Sequence, residues 1–413
     1  MDNASATLDR SDVMHLSPDQ ELEPIFELGG PAYRLMQRIG IIKGRGPSIG
    51  RRTVAFIFIA WVPMLLFATL EGHAIGPAPR SSFLLDFATY ARFFIGVPLI
   101  FAAESLVGPR VRLAGLRFVQ ARIVQSEDHS AFLAAAARAR QRRDAVLPEV
   151  LFLVVALVGA SFLTLEQLGG LATTTWHTVR TPTGLHLSPA GLWYQFVAIP
   201  LVQFFVFRWL WRLAIWTLFL WDVSRLRLNL IATHTDMSAG LGFLGVAHVS
   251  LSIFPFALSC VFAAEIAFRV QFEGVDLPTL RTMGPLLFVY LIFVEFVTFG
   301  PLLLFGPVLA RVRREGLRSY GMLVQWHNKL FDQKWIEQSG RDGDGEVPLG
   351  NPDMSSLVDL GSSFTVVRQM SVFPVGRTQL IEVAVIACLP GLPLVLLVLP
   401  FSEVLRLLAG VIT

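Results

Sequence analysis

Seven runs of about 20 apolar residues, near positions 53–70, 87–107, 147–165, 192–216, 243–267, 284–310 and 380–400, constrain this chain more than any other feature. As a helix rising about 1.5 Å per residue, each run covers the roughly 30 Å hydrocarbon layer of a bilayer. Helices are the expected form, because a lipid-immersed segment must satisfy its own backbone and the runs are too long and too uniformly apolar for barrel strands. Composition agrees: 54% of residues are hydrophobic, 16% are charged and the mean hydropathy is +0.58. Those values exclude a soluble enzyme, a disulfide scaffold and a disordered protein. The net charge of +3 calls for no nucleic-acid partner, since Lys and Arg sit in the loops between apolar runs. Cys260 and Cys388 both lie within apolar segments and read as small hydrophobes.

Loop charge sets the expected orientation. Arg34, Arg38, Lys43, Arg45, Arg51 and Arg52 precede the first run. Arg110, Arg112, Arg117, Arg122, Arg138, Arg140, Arg142 and Arg143 follow the second, and nine basic residues follow the sixth. The intervening loops carry only Arg80, then Arg180, then Arg269 and Arg281. This bias predicts a cytoplasmic N-terminus and, with seven spans, a periplasmic C-terminus. The domain reading is a cytoplasmic N-terminal segment 1–52, a six-helix membrane domain 53–310, a cytoplasmic region 311–379, and a final span with its C-terminal end, 380–413. Within the membrane domain, loop 108–146 is cytoplasmic and helical, its alanine-rich helix running into the third span until Pro148 permits a turn. Residues 311–337 predict an amphipathic helix. Asp342, Asp344 and Glu346 lack the spacing of a calcium loop.

An internal period of about 100 residues is visible. Phe67–Glu71, Phe162–Glu166 and Phe262–Glu265 end the odd runs alike, and Pro98, Pro200 and Pro301 recur in the even ones. Arg110–Arg117 also resembles Arg311–Arg318. The expected fold is therefore an all-α polytopic membrane protein of about seven transmembrane helices: three parallel two-helix repeats and a closing helix.

Charges inside spans point to function, because a lone charge at mid-depth costs about 2.5–3.5 kcal/mol even on insertion scales. Arg92, Glu104, Arg208 and Glu295 are the candidates. Arg92 and Glu295 stand at one offset from Pro98 and Pro301, which predicts equal depth and an ion pair; Glu104 is placed to meet Arg208 or Arg212. Either a packing device or an ion pathway explains such charges. Glu71, Glu166 and Glu265 mark the outer interface. In the turn before the fifth run, His234, Asp236, Gly240 and Gly242 form a compact motif. Capping and loop pinning explain it better than metal, for which His234, Asp236 and the later His248 are the weak candidates. Walker, nucleophile-elbow, zincin and Cys-x-x-Cys motifs are absent, so no catalytic residue, cofactor or metal is assigned.

The stretch from Trp209 to Leu244, ending in His-Thr-Asp-Met-Ser-Ala-Gly-Leu-Gly-Phe-Leu, resembles a family of uncharacterised bacterial inner-membrane proteins that carry H-P-D-x-x-G-G-L-G-F-L. Thr235 and Ala239 depart from that pattern. Gly350 to Arg368 resembles the same family's G-x-P-D-I-x-S-L-x-D-L-x-N-S-F-x-V-V-R, with Ser362 in place of asparagine. The resemblance implies a bacterial inner-membrane location and brings no activity. The Pro352-Asp353 stretch is expected to dock on the cytoplasmic surface, with Asp353 or Ser355 starting a helix. Three function classes follow. A channel or transporter for ions or small solutes leads. A membrane scaffold or sensor, binding a partner or anionic lipid through basic cytoplasmic loops, comes second, and a metal-dependent membrane enzyme third. The lipid bilayer is the expected partner in each, with anionic lipid and a homo-oligomeric copy as further ones.

Overall fold

The computed structural model describes residues 29–43, 48–170, 175–181, 184–273, 280–337 and 350–394. Within them the chain forms α1 (Pro31–Arg38), α2 (Ile49–Leu70), α3 (Phe87–Gln120), α4 (His129–Asp144) and α5 (Val146–Gly170). An antiparallel hairpin follows, β1 (Thr178–Thr181) with β2 (Gly184–Leu187), pairing Thr178 with Leu187 and Thr181 with Gly184. Then come α6 (Pro189–Ser224), α7 (Gly242–Phe272), α8 (Gly284–Glu337), α9 (Pro352–Gln369) and α10 (Arg377–Cys388). Among the described residues six helices are long and apolar enough to cross a membrane, or seven if α4 and α5 count as one bent span. Large apolar side chains face outwards, among them Phe58 and Leu66 of α2, Leu151 and Val154 of α5, and Phe288 and Phe296 of α8. Lipid solvates such faces where water would not, so the array is compatible with an integral membrane protein.

Local geometry corrects two sequence expectations and joins a third, the amphipathic helix over 311–337, to the run before it. The turn between α4 and α5 sits at Ala145, whose ψ of 135° breaks the helix, and not at Pro148. Pro148 falls in the first turn of α5, where its missing N–H costs nothing. The sixth run and the amphipathic helix after it are one helix, α8, tightened into 3₁₀ turns over Gly300–Phe305 around Pro301. Asn351, rather than Asp353 or Ser355, caps α9, its side chain accepting from the Asp353 N–H at 2.9 Å. Asp353 instead anchors α9 on α8, accepting from Lys334 Nζ at 2.7 Å and Trp335 Nε1 at 3.1 Å. The closing span is described only as far as Leu394, and the acidic loop at 342–346 lies outside the described residues.

α3 and α6 begin alike. Asp86 caps the first by accepting from the Thr89 N–H, and Ser188 caps the second by accepting from the Gly191 N–H. Each helix then widens into a π-turn, Ala91–Gly96 and Tyr194–Ala198, just before Pro98 and Pro200. Proline cannot donate to the carbonyl one turn back and its ring crowds that carbonyl; a wider turn relieves both problems. Packing gathers into two cores. One surrounds Trp209, Trp216, Phe118 and Phe219, with Trp209 stacked on Phe254 at 4.0 Å between centroids. The other surrounds Phe56, Phe93, Phe101 and Trp176.

Candidate functional site

Two polar constellations lie within the helical array, separated along α3 by the 12 residues from Arg92 to Glu104, or about 18 Å of helix. The distal one is built around the shared helix starts. Asp86 Oδ2 accepts from Trp176 Nε1 at 3.0 Å, while Ser188 Oγ donates to the Trp176 carbonyl at 3.1 Å. The segment before β1 is thus tied across the beginnings of both α3 and α6. Gly191 makes this closeness possible, since a Cβ there would stand 2.1 Å from the His177 carbonyl oxygen. Burial pushes the His177 imidazole down to about 4 against a partial offset from Asp86, so it is neutral at physiological pH.

One turn further into each helix, the π-turns present Arg92 and Tyr194 to each other. Arg92 Nη1 donates to the Tyr194 hydroxyl, and its guanidinium lies 5.8 Å from the Tyr194 ring centroid. Arg92 Nη2 reaches Glu265 Oε2 of α7 at 3.5 Å, and Glu265 Oε1 accepts from Arg269 Nε at 3.0 Å. These four residues, with Gln195 and Gln203, line a cavity of about 460 Å³ between α3, α6 and α7. Gln195 Nε2 is committed to the Ala160 carbonyl, whereas Gln203 Oε1 is buried without a hydrogen-bond partner among the described residues. Gly96 sets the width of the cavity: a Cβ there would come within 2.7 Å of Val261. Apolar walls with a few convergent polar groups are the usual form of a small-ligand site.

The proximal constellation is closed. Glu104 receives Arg208 Nη1 on Oε1 and Arg52 Nη1 on Oε2, each at 2.6 Å. Arg212 Nη1 adds an ion pair at 3.4 Å. Arg208 Nε continues to Glu149 Oε1 at 3.1 Å, and Glu149 Oε2 accepts from the Ala32 N–H at 2.6 Å. The Gly29 carbonyl accepts from Arg208 and Arg212, and the Gly30 N–H donates to Asp144 Oδ1 at 2.9 Å. All three arginines and Glu104 are at most 2% exposed. Gly29 and Gly30 have φ of 94° and 93°, which non-glycine residues rarely adopt, and a Cβ on Gly30 would sit 3.0 Å from Glu149 Oε1.

The sequence candidates are therefore redistributed. Glu104 meets both Arg208 and Arg212, the two partners expected for it, with Arg52 and Glu149 as further members that charge counting alone left out. Arg92 pairs with Glu265 and not with Glu295, whose two carboxylate oxygens have no hydrogen-bond partner among the described residues. Tyr194 was legible, since it stands six residues before Pro200 as Arg92 does before Pro98. Glu265, expected at the outer interface, lies inside α7 rather than at its end and lines the cavity.

The His234 motif is an anchored loop. Asp236 Oδ1 accepts from the N–H groups of Ser238 and Gly240, and Oδ2 from that of Gly242, at 2.8, 3.1 and 2.8 Å. Burial opposes ionisation of Asp236, but those three N–H groups and His234 outweigh it and hold the carboxyl below its ordinary range. Met237, Ala239 and Gly240 turn through φ of 53°, 55° and 96° around it. His234 Nδ1 lies 2.9 Å from Asp236 Oδ1. His248 is elsewhere: Trp216 Nε1 donates to its Nε2 at 2.9 Å, and its Nδ1 lies 2.6 Å from the Thr298 carbonyl. No group of three or more His, Cys, Asp or Glu suited to a metal occurs among the described residues.

No protein-family model, curated protein or solved structure matches the chain.

Proposed function

We propose that this protein is a channel or transporter for ions or small solutes in a bacterial inner membrane, oriented with its N-terminus in the cytoplasm. The observation that carries the reading is the charged cavity between α3, α6 and α7. Arg92 and Glu265 there are held at 3.5 Å, a contact that a passing ion or polar solute can replace at little cost. Charges inside membrane helices are retained for pathways or for packing, and a roomy, loosely paired site favours the pathway. The matching caps and π-turns of α3 and α6 also support the proposed repeat of two-helix hairpins.

The test is flux through purified protein in proteoliposomes, with a panel of cations, anions and zwitterions. Solute-selective flux that falls at least tenfold in Arg92→Gln and Glu265→Gln is expected. An absence of flux for the whole panel in folded, correctly inserted protein would sink the reading. A scaffold or sensor is the second reading, supported by Met322, Trp326 and Ile336, which stand exposed on the part of α8 that pairs with α9 among basic residues. On that reading the basic surface meets anionic lipid or a protein partner, and vesicle binding without flux is expected.

A further inference from the structure

The cavity between α3, α6 and α7 sorts its lining along the helix axes. Arg92, Tyr194, Glu265 and Arg269 gather at one end. Ile100 lines it eight residues further along α3, and Ala257 eight residues back along α7, each about 12 Å of helix from the charged residue on its own helix. Between those limits Val97, Val202, Leu258 and Val261 make the walls aliphatic. The volume of about 460 Å³ falls within the roughly 300–1,000 Å³ that small-molecule sites occupy.

Each end restricts the occupant. A hydrated inorganic ion gains nothing from aliphatic walls, and stripping its water against them is costly. An organic solute with an apolar body gains from every methylene it buries there. The other end presents both signs of charge. Arg92 Nη1 donates to the Tyr194 hydroxyl, which leaves the hydroxyl able to donate its own proton to a carboxylate. Arg92 Nη2 reaches Glu265 Oε2 at only 3.5 Å, while Glu265 Oε1 is engaged by Arg269 Nε at 3.0 Å. Asp86, whose charge also acts on Arg92, is committed to Thr89 and to Trp176 Nε1. A solute with a single charge would take one member of the Arg92–Glu265 pair and leave the other without its partner in a low-dielectric cavity. A solute with a carboxylate and an ammonium replaces the contact for both members.

We propose that the cavity binds a zwitterionic solute with an aliphatic body, of the class of the apolar amino acids. Its carboxylate sits against Arg92 and the Tyr194 hydroxyl, its ammonium against Glu265 Oε2, and its body along Val97, Val202 and Val261. This narrows the solute class of the transport reading, and it rests on that reading's assignment of the cavity as the substrate site.

The experiment is equilibrium binding to the full chain in detergent, read as a saturable rise in Tm, with four probes of related shape. Leucine carries both charges and an isobutyl body, isopentylamine lacks the carboxylate, 4-methylpentanoate lacks the ammonium, and glycine lacks the body. Leucine is expected to bind at least about tenfold more tightly than each of the other three. Arg92→Gln is expected to abolish the preference over isopentylamine, and Glu265→Gln the preference over 4-methylpentanoate. If neither variant folds, the wild-type series decides by itself. A Tm indifferent to leucine, or any of the other three probes binding as tightly as leucine, would overturn the proposal; flux of other solutes would then leave the transport reading standing. Leucine-selective binding without flux would uphold the site and sink only the transport reading.

Discussion

The proximal and distal constellations draw on the same chemistry, arginine against glutamate within an apolar helical array, yet are built in opposite ways. In the proximal one, contacts are short, the side chains are almost fully buried, and the backbone of Gly29 to Ala32 seals the group. In the distal one, a single contact at 3.5 Å joins Arg92 to Glu265, side-chain exposures are 18% and 34%, and a cavity adjoins them. A buried, multiply paired cluster resists change because its members depend on one another, whereas a loose pair beside open volume can exchange partners. The first behaves as a clasp joining α1, α2, α3, α5 and α6; the second as a place where something else can bind.

The sharpest way to break this comparison is to remove the carboxylate on which three arginines converge. Glu104→Gln leaves those guanidiniums with Glu149 alone, and a loss of about 3–5 kcal/mol in stability is expected, read from unfolding in detergent. A loss below about 1 kcal/mol would mean that the clasp is no tighter than a surface pair.

The anchored loop offers an intermediate case. Asp236→Ala leaves three backbone N–H groups without their acceptor, for an expected loss of about 2–3 kcal/mol, with Asp236→Asn retaining part of it. Because the folded carboxyl titrates below its ordinary 3.8, its stabilisation is fully present above that value. It is lost as pH falls through the lower folded value. Acid unfolding followed against pH should therefore shift upwards in Asp236→Asn; coincident curves would remove Asp236 as the anchor.

The distal pair should couple weakly. A double-mutant cycle on Arg92→Gln and Glu265→Gln is expected to give about 0.5–1 kcal/mol, while one on Arg92→Gln and Glu295→Gln should be additive. A large coupling energy in the second cycle would restore the pairing that the sequence suggests and the geometry denies.

The smallest effect belongs to His177, whose ring lies 6.1 Å from that of Tyr194 in the distal constellation. Its folded value near 4 lies below the ordinary 6.5, so the unfolded chain takes up its proton first. Stability from this group is complete above about 6.5 and declines as pH drops towards 4. His177→Asn should flatten that part of the profile; an unchanged slope would assign it to other groups.

Sequence alone determined the class of fold and the long apolar helices, because hydrophobic length and loop charge are local, one-dimensional properties that a bilayer reads directly. It also fixed which residues are anomalous. Arg92, Glu104, Arg208 and Glu295 are conspicuous because each stands in an apolar run. Partner choice was decided only in three dimensions. The offset from proline gives Arg92 and Glu295 similar positions along their helices, but whether two helices touch depends on which faces pack, and α7 brings Glu265 to Arg92 instead. Arg52 and Glu149, inconspicuous at the ends of apolar runs, became central because helix ends converge where α1 folds back over them. The Asp236 loop stands between these cases. Its capping role followed from an aspartate before glycines, a short-range relation the backbone satisfies by itself, while His248 was drawn away by Trp216 and Thr298, whose proximity no local pattern records.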